Sequence, residues 1–200
     1  MSRTSYSAIS SYSRVEILHL LQEQPGRTIQ DLCDRTGLHA NTVREHIQRL
    51  IDAGHVVQER EHRTTRGRPR MLYSAATGEP DASSPVARKK VQDAARRGDL
   101  MRRVIPESAG PLEGEALHQL DAIVDDLVDA GFDPVVDQEA LTIDLTPCPH
   151  ATAQGEHLET LCRVHVGLMR SVLSEAGGPL RVEAVEDGCD PATCVVLLSR

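Results

Sequence analysis

Residues 28–73 constrain the fold most, because two glycines and an arginine-rich tip divide them into four short elements. Thr28 and Asp31 form a capping-box pair that opens a first helix, which turns Ile29 and Leu32 inward. Gly37 ends it where the chain needs a positive φ to turn. A second helix begins near His39, with Val43, Ile47, Leu50 and Ile51 recurring at helical spacing; Asn41, Arg44, Glu45 and Gln48 fall on the opposite, polar side. After Gly54, the apolar run His55, Val56, Val57 reads as a strand. Residues 60–70 form a polar tip, and Met71, Leu72 and Tyr73 return as the partner strand.

Helix, tight turn, helix and hairpin in this order make a winged helix-turn-helix, whose second helix offers its polar face to a major groove. Asn41, Thr42, Arg44 and Gln48 are the candidate base readers, since arginine pairs with guanine and asparagine or glutamine with adenine. Arg66 and Arg68, on the stiff Arg66-Gly67-Arg68-Pro69 tip, suit phosphates or a minor groove. Aromatic residues are few (Tyr6, Tyr12, Tyr73 and Phe132). Stacking on single strands therefore has little support, and duplex DNA is the expected partner.

The formal charge of the chain is −8, which by itself argues against nucleic acid. The distribution reverses that argument. Through Arg103 there are 18 basic and 12 acidic residues, and beyond it 4 and 18, so the two parts carry +6 and −14. A DNA-facing part joined to an acidic sensory part would show this asymmetry, because phosphate affinity follows the local field. A length of 200 residues allows one or two domains. The pattern predicts a DNA-binding unit over 1–76, a linker with a connecting basic helix over 77–112, and a sensory or metal-binding unit over 113–200.

Residues 1–12 are serine-rich and expected to fray; Ser13 and Glu16 make a capping-box pair for a helix carrying Val15, Ile17, Leu18, Leu20 and Leu21. Pro25 and Gly26 stop it. Residues 77–85 read as a linker. Residues 86–104, with Arg88, Lys89, Lys90, Arg96, Arg97, Arg102 and Arg103, suit a helix that either connects two domains through solvent or touches phosphates. A helix over 115–130 presents Leu117, Leu120, Ile123, Val124, Leu127 and Val128 on one side. Val135 and Val136, then Leu141, Ile143 and Leu145, suggest a hairpin. A further helix over 155–176 ends at Gly177, Gly178 and Pro179, and two strands follow around 180–184 and 195–198. The order helix, two strands, helix, two strands predicts a small α+β domain with helices on one face of an antiparallel sheet.

No run approaches the roughly 18 apolar residues of a membrane span, and no export signal opens the chain, so a cytoplasmic protein is expected. Reduced cysteines then raise metal or redox chemistry. Cys33 packs as a small apolar residue in this reading. Cys148, Cys162, Cys189 and Cys194 cluster in the last 53 residues: a strand end, a helix, and two sides of a turn. Four thiolates suit zinc or an iron-sulfur cluster, and the last two cysteines also suit a reversible disulfide. No Cys-x-x-Cys pair occurs, which weakens a zinc ribbon, while Pro149 after Cys148 matches the Cys-Pro step common beside clusters. His165, one turn beyond Cys162, is a substitute ligand, with His150 and His157 weaker ones. A cysteine-histidine nucleophile pair would need an orienting group and an oxyanion loop that the sequence does not offer, so no enzyme is expected.

The runs Leu38-His39-Ala40-Asn41-Thr42-Val43-Arg44-Glu45-His46 and Gly67-Arg68-Pro69-Arg70 resemble the winged-helix regulators of actinobacteria. Residues 145–153, the segment Leu161-Cys162-Arg163-Val164-His165 and a late cysteine before a terminal apolar strand resemble the iron-sulfur repressors that control cluster-assembly operons. The likeness covers nearly the whole chain, with His150 standing where relatives commonly have an aromatic residue. It implies a homodimeric regulator, a repressor, on a double-stranded operator. The implied cluster ligands are Cys148, Cys162 and Cys194, with Cys189 an additional candidate. The alternatives are a zinc- or thiol-redox-responsive regulator and a winged-helix protein-interaction module.

Overall fold

The computed structural model describes residues 9, 11–62, 69–105, 110–149, 153, 155–186 and 192–200. Helix α1 (Tyr12–Glu23) buries Val15, Ile17, Leu18 and Leu21. Its N-cap is Ser11, whose carbonyl accepts from the amides of Arg14 and Val15. The helix thus starts ahead of the Ser13-Glu16 pair, and that capping box does not form. In the first turn Tyr12 sets its ring edge-on to His157, with centroids 4.0 Å apart. At the other end the guanidinium of Arg27 donates to the Leu20 carbonyl at 2.9 Å.

Helix α2 (Ile29–Thr36) opens with the expected capping box: Thr28 accepts from the Asp31 amide, and the Asp31 carboxylate accepts from the Thr28 amide. Those bonds hold the Asp31 carboxyl below the usual carboxylate range. Gly37 closes the helix at φ 69°, a left-handed conformation that glycine enters without steric cost. Helix α3 (Ala40–Ala53) buries Val43, Ile47, Leu50 and Ala53. Strands β1 (Val56–Arg60) and β2 (Met71–Ala75) pair antiparallel from Val56 opposite Ala75 to Arg60 opposite Met71. A bridge between Arg27 and Tyr73 adds a short third edge, so the start of the domain is stitched to its hairpin.

A 3-10 turn (Pro80–Ala82) leads into α4 (Pro85–Val104), capped by the buried Ser84. This basic helix is not a solvated connector. It lies along α5 (Gly114–Asp129), where Arg97 pairs with Asp125 at 2.5 Å and Arg102 with Asp121 and Asp99, both at 2.8 Å. Part of the sequence's charge asymmetry is therefore neutralised inside the molecule. Exposed pairs of this kind contribute about 0–1 kcal/mol each, and the Arg102 fork is the more rigid of them.

Strands β3 (Val135–Asp137) and β4 (Thr142–Asp144), helix α6 (Glu156–Ala176), and strands β5 (Arg181–Val185) and β6 (Val195–Ser199) complete the chain. The four strands form an antiparallel sheet in the order β3-β4-β6-β5. Ile143, Val182, Val196 and Leu198 are buried in one core with α5 and α6, giving the helix-covered sheet that the sequence predicts.

The same core continues from Leu173 and Leu168 of α6 to Leu18, Leu32 and Leu50 of the winged region. Helix α1 rests on α6, where the Gln22 amide donates to the Val164 carbonyl at 3.3 Å. One buried amide joins the later elements. Gln119 of α5 donates to the carbonyls of Leu173 (2.8 Å) and Leu180 (3.1 Å) and accepts from the Leu180 amide at 2.7 Å. Nothing in the sequence signals it, because a glutamine on an apolar helix face shows its purpose only once its partners are in place.

Candidate nucleic-acid interface

The recognition face is built from the turn outward. His39 caps α3 with its own ring, Nδ1 accepting from the Asn41 amide at 3.3 Å, and this brings Asn41 to the exposed start of the helix. Asn41, Arg44, Glu45 and Gln48 recur at i, i+3, i+4 and i+7, and all four are exposed. Thr42 is half-buried at the margin of this stripe.

Without DNA the polar groups are satisfied along the helix. Arg44 donates to Asn41 Oδ1 (3.0 Å), Gln48 to Asp52 Oδ1 (2.8 Å), and Arg49 pairs with Glu45 (2.5 Å). Solvent-exposed bonds of this strength exchange readily with base edges. The first two also hold the side chains of Arg44 and Gln48 along the helix.

The wing stands beside this stripe. The Glu61 amide donates to the Arg70 carbonyl at 2.9 Å, carrying the hairpin ladder past β1. A surface groove of about 520 Å³ lies between the start of α2, Arg44 and the base of the wing at Pro69 and Arg70. Arg44 and Arg70 thus line one concavity. Arg70 was one of several wing arginines in the sequence; its partnership with Arg44 is a product of the fold. Arg66 and Arg68 lie outside the described residues.

Of the cysteine set, Cys148 is buried just beyond β4, while Cys162 in α6 and Cys194 at the start of β6 are half-buried. The Leu145 amide donates to the Cys194 carbonyl at 2.8 Å, so the segments bearing Cys148 and Cys194 meet at one end of the sheet. Cys189 and His150 lie outside the described residues. His165 sets its ring edge-on to Phe132 at 5.3 Å, and His157 is taken up by Tyr12. Among the described residues, no three histidine, cysteine or acidic side chains stand close enough to hold one metal ion. Cys33 is half-buried against the core, as a small apolar residue would be.

Residues 11–57 match the family model of a winged helix-turn-helix DNA-binding domain. The chain therefore carries an N-terminal winged helix-turn-helix followed by a mixed α+β region, an architecture that supports a DNA-binding regulator. No curated protein and no solved structure matches it. No helix among the described residues is long and apolar enough to cross a membrane.

Proposed function

We propose that this chain is a sequence-specific transcriptional repressor that binds a double-stranded operator as a homodimer. The observation that carries the reading is the exposed stripe of Asn41, Arg44 and Gln48 beside the Arg70 wing, on a segment matching a DNA-binding family. In this reading residues 1–76 form the DNA-binding unit, 77–112 the connection and 113–200 the sensory unit. Arg66 and Arg68 position the wing on phosphates. The test is binding to operator and random duplexes across a salt series. Arg68→Ala should weaken both and lower the salt slope by about one. Binding that hardly varies with salt would instead favour a protein-interaction module.

We further propose that Cys148, Cys162 and Cys194, with Cys189 as an additional ligand, hold an iron-sulfur cluster that controls DNA binding. The donor chemistry supports it: soft thiolates on segments that meet at one sheet end and on the helix packed against α1. Zinc on the same thiolates is the alternative, and metal analysis distinguishes the two. When bound, the cluster would supply an oxygen- and iron-sensitive cross-link between the end of β4, α6 and the start of β6. The chain's own part is to hold Cys162 on α6, where a shift reaches α1 through the bond from Gln22 to Val164. Anaerobically prepared protein should contain iron and acid-labile sulfide in similar amounts, and Cys162→Ser should lose both. Protein that takes up no iron on reconstitution would leave zinc or thiol oxidation as the better account.

A further inference from the structure

Beyond Arg103 the chain has 18 acidic residues and only four basic ones, Arg163, Arg170, Arg181 and Arg200. Three of the four line a single cleft of about 880 Å³ between the winged region and α6. Small-molecule sites run to about 300–1,000 Å³, so its size is ordinary for a ligand. The concentration of cations in one concavity of an otherwise acidic region is not.

The cleft is positioned by elements of both regions. One wall is the C-terminal end of α1 and the strap that follows β2; the other is α6 with the turn leading to β5. Arg163, Gly167, Arg170 and Ser174 fall on one stripe of α6, so the helix turns a single cationic face to the cleft, with glycine at its middle.

Two acidic side chains also line this cleft, each with one long contact. Glu23 pairs with His19 at 3.4 Å, and Glu79 accepts from Ser174 at 3.3 Å. Two of the three arginines are held less. Arg163 reaches Glu159 only at 4.0 Å on a side chain two-thirds exposed. Arg181 donates through one nitrogen, Nη1, to the backbone carbonyls of Gly178 and Leu180. Arg170 is exposed and has no hydrogen bond or ion pair among the described residues. Guanidinium forks around a concavity match the paired oxygens of phosphate or carboxylate.

We infer that this cleft binds a small polyanion, a molecule bearing phosphate or several carboxylates, and that its occupancy ties α6 to α1 and so tunes DNA binding. The second part rests on the reading of the chain as a DNA-binding regulator; the first does not. Helix α1 packs against both α3 and α6, which makes it the physical link between the cleft and the recognition helix.

The test uses the full chain, with pyrophosphate and citrate as separate probes followed by titration calorimetry and by duplex-DNA binding at constant ionic strength. Saturable binding of either probe is expected, and the tighter probe identifies the oxyanion. Arg163→Gln and Arg170→Gln should each weaken it roughly tenfold, the scale of one charge-assisted contact. No saturable binding of either probe, or unchanged affinity in both variants, would overturn the site. A probe that binds normally but leaves DNA affinity unaltered would overturn the coupling and keep the site. Chain that binds the probe but no DNA would overturn the regulator reading alone. If duplex DNA competes with the probe and both variants weaken DNA equally, the cleft is a backbone contact and the small-molecule assignment is wrong.

Discussion

Gly54 ends the recognition helix at φ 87°, and a Cβ placed on it would come within 3.0 Å of the backbone nitrogen of Ala87, in the first turn of α4. The end of α3 therefore abuts the start of the basic helix, where a side chain fits only if α4 gives by a few tenths of an ångström. Gly54→Ala would meet both a left-handed backbone and this close amide. Such strain costs about 1–3 kcal/mol, so the midpoint of urea unfolding should fall. An unchanged midpoint would mean that α4 moves aside freely and does not brace the helix.

The amide of Gln119 is the second point of rigidity. Gln119→Leu is close in volume but leaves the Leu180 amide and the Leu173 carbonyl without their buried partner, while the Leu180 carbonyl keeps its bond from Arg181. An orphaned buried group costs about 1–3 kcal/mol, and these two are held by one side chain, so a loss of about 2–4 kcal/mol is expected. Hydrogen exchange should rise first at Leu180, and a variant as stable as the parent would show that water replaces the amide.

Buried His55 and half-buried Asp126 line a small cavity where α3, β1, α4, α5 and α6 meet, and they act in opposite directions. Burial lowers the His55 pKa to about 3, with Lys90 adding to the effect. The unfolded chain therefore takes up a proton below about 6.5, and stability falls as pH drops from there towards 3. Burial raises the Asp126 pKa to about 6, opposed by Lys90 and assisted by Asp129 and Asp125. The native state then holds the extra proton from about 4 to 6, and stability falls as pH rises through that window. Glu175 on α6 faces the same cavity, as does His165 on its extension towards Phe132. Between about pH 4 and 6 the slopes from His55 and Asp126 nearly cancel. Asp126→Asn should uncover the His55 slope of about 1.4 kcal/mol per pH unit, read by urea unfolding at stepped pH. Parallel profiles for parent and variant would remove Asp126 from this role.

Arg44 is the strongest candidate for base reading, since it is exposed on the stripe, at the mouth of the groove it shares with Arg70. Arg44→Ala should cost about 1–3 kcal/mol at its cognate base and relax discrimination there. Arg70→Ala should weaken operator and random DNA alike, because a phosphate contact carries no sequence information. Sequence preference that survives Arg44→Ala in a competition assay would assign the reading to Asn41 or Gln48.

What the sequence determined by itself was local. The capping box at Thr28 and Asp31, the left-handed turns at Gly37 and Gly54, and the helical spacing of Val43, Ile47 and Leu50 depend on residues within a few positions of each other. They made the winged region, its exposed reading stripe and the order of the later helices and strands legible. Tertiary structure decided which faces meet. It docked the arginines of α4 on the aspartates of α5, set Tyr12 edge-on to His157, and joined Gln119 to Leu180 across 61 residues. It also gathered Arg163, Arg170 and Arg181 into one cleft. Charge and polarity in a sequence state what must be paired or solvated, but the partner is chosen by packing between elements far apart in the chain.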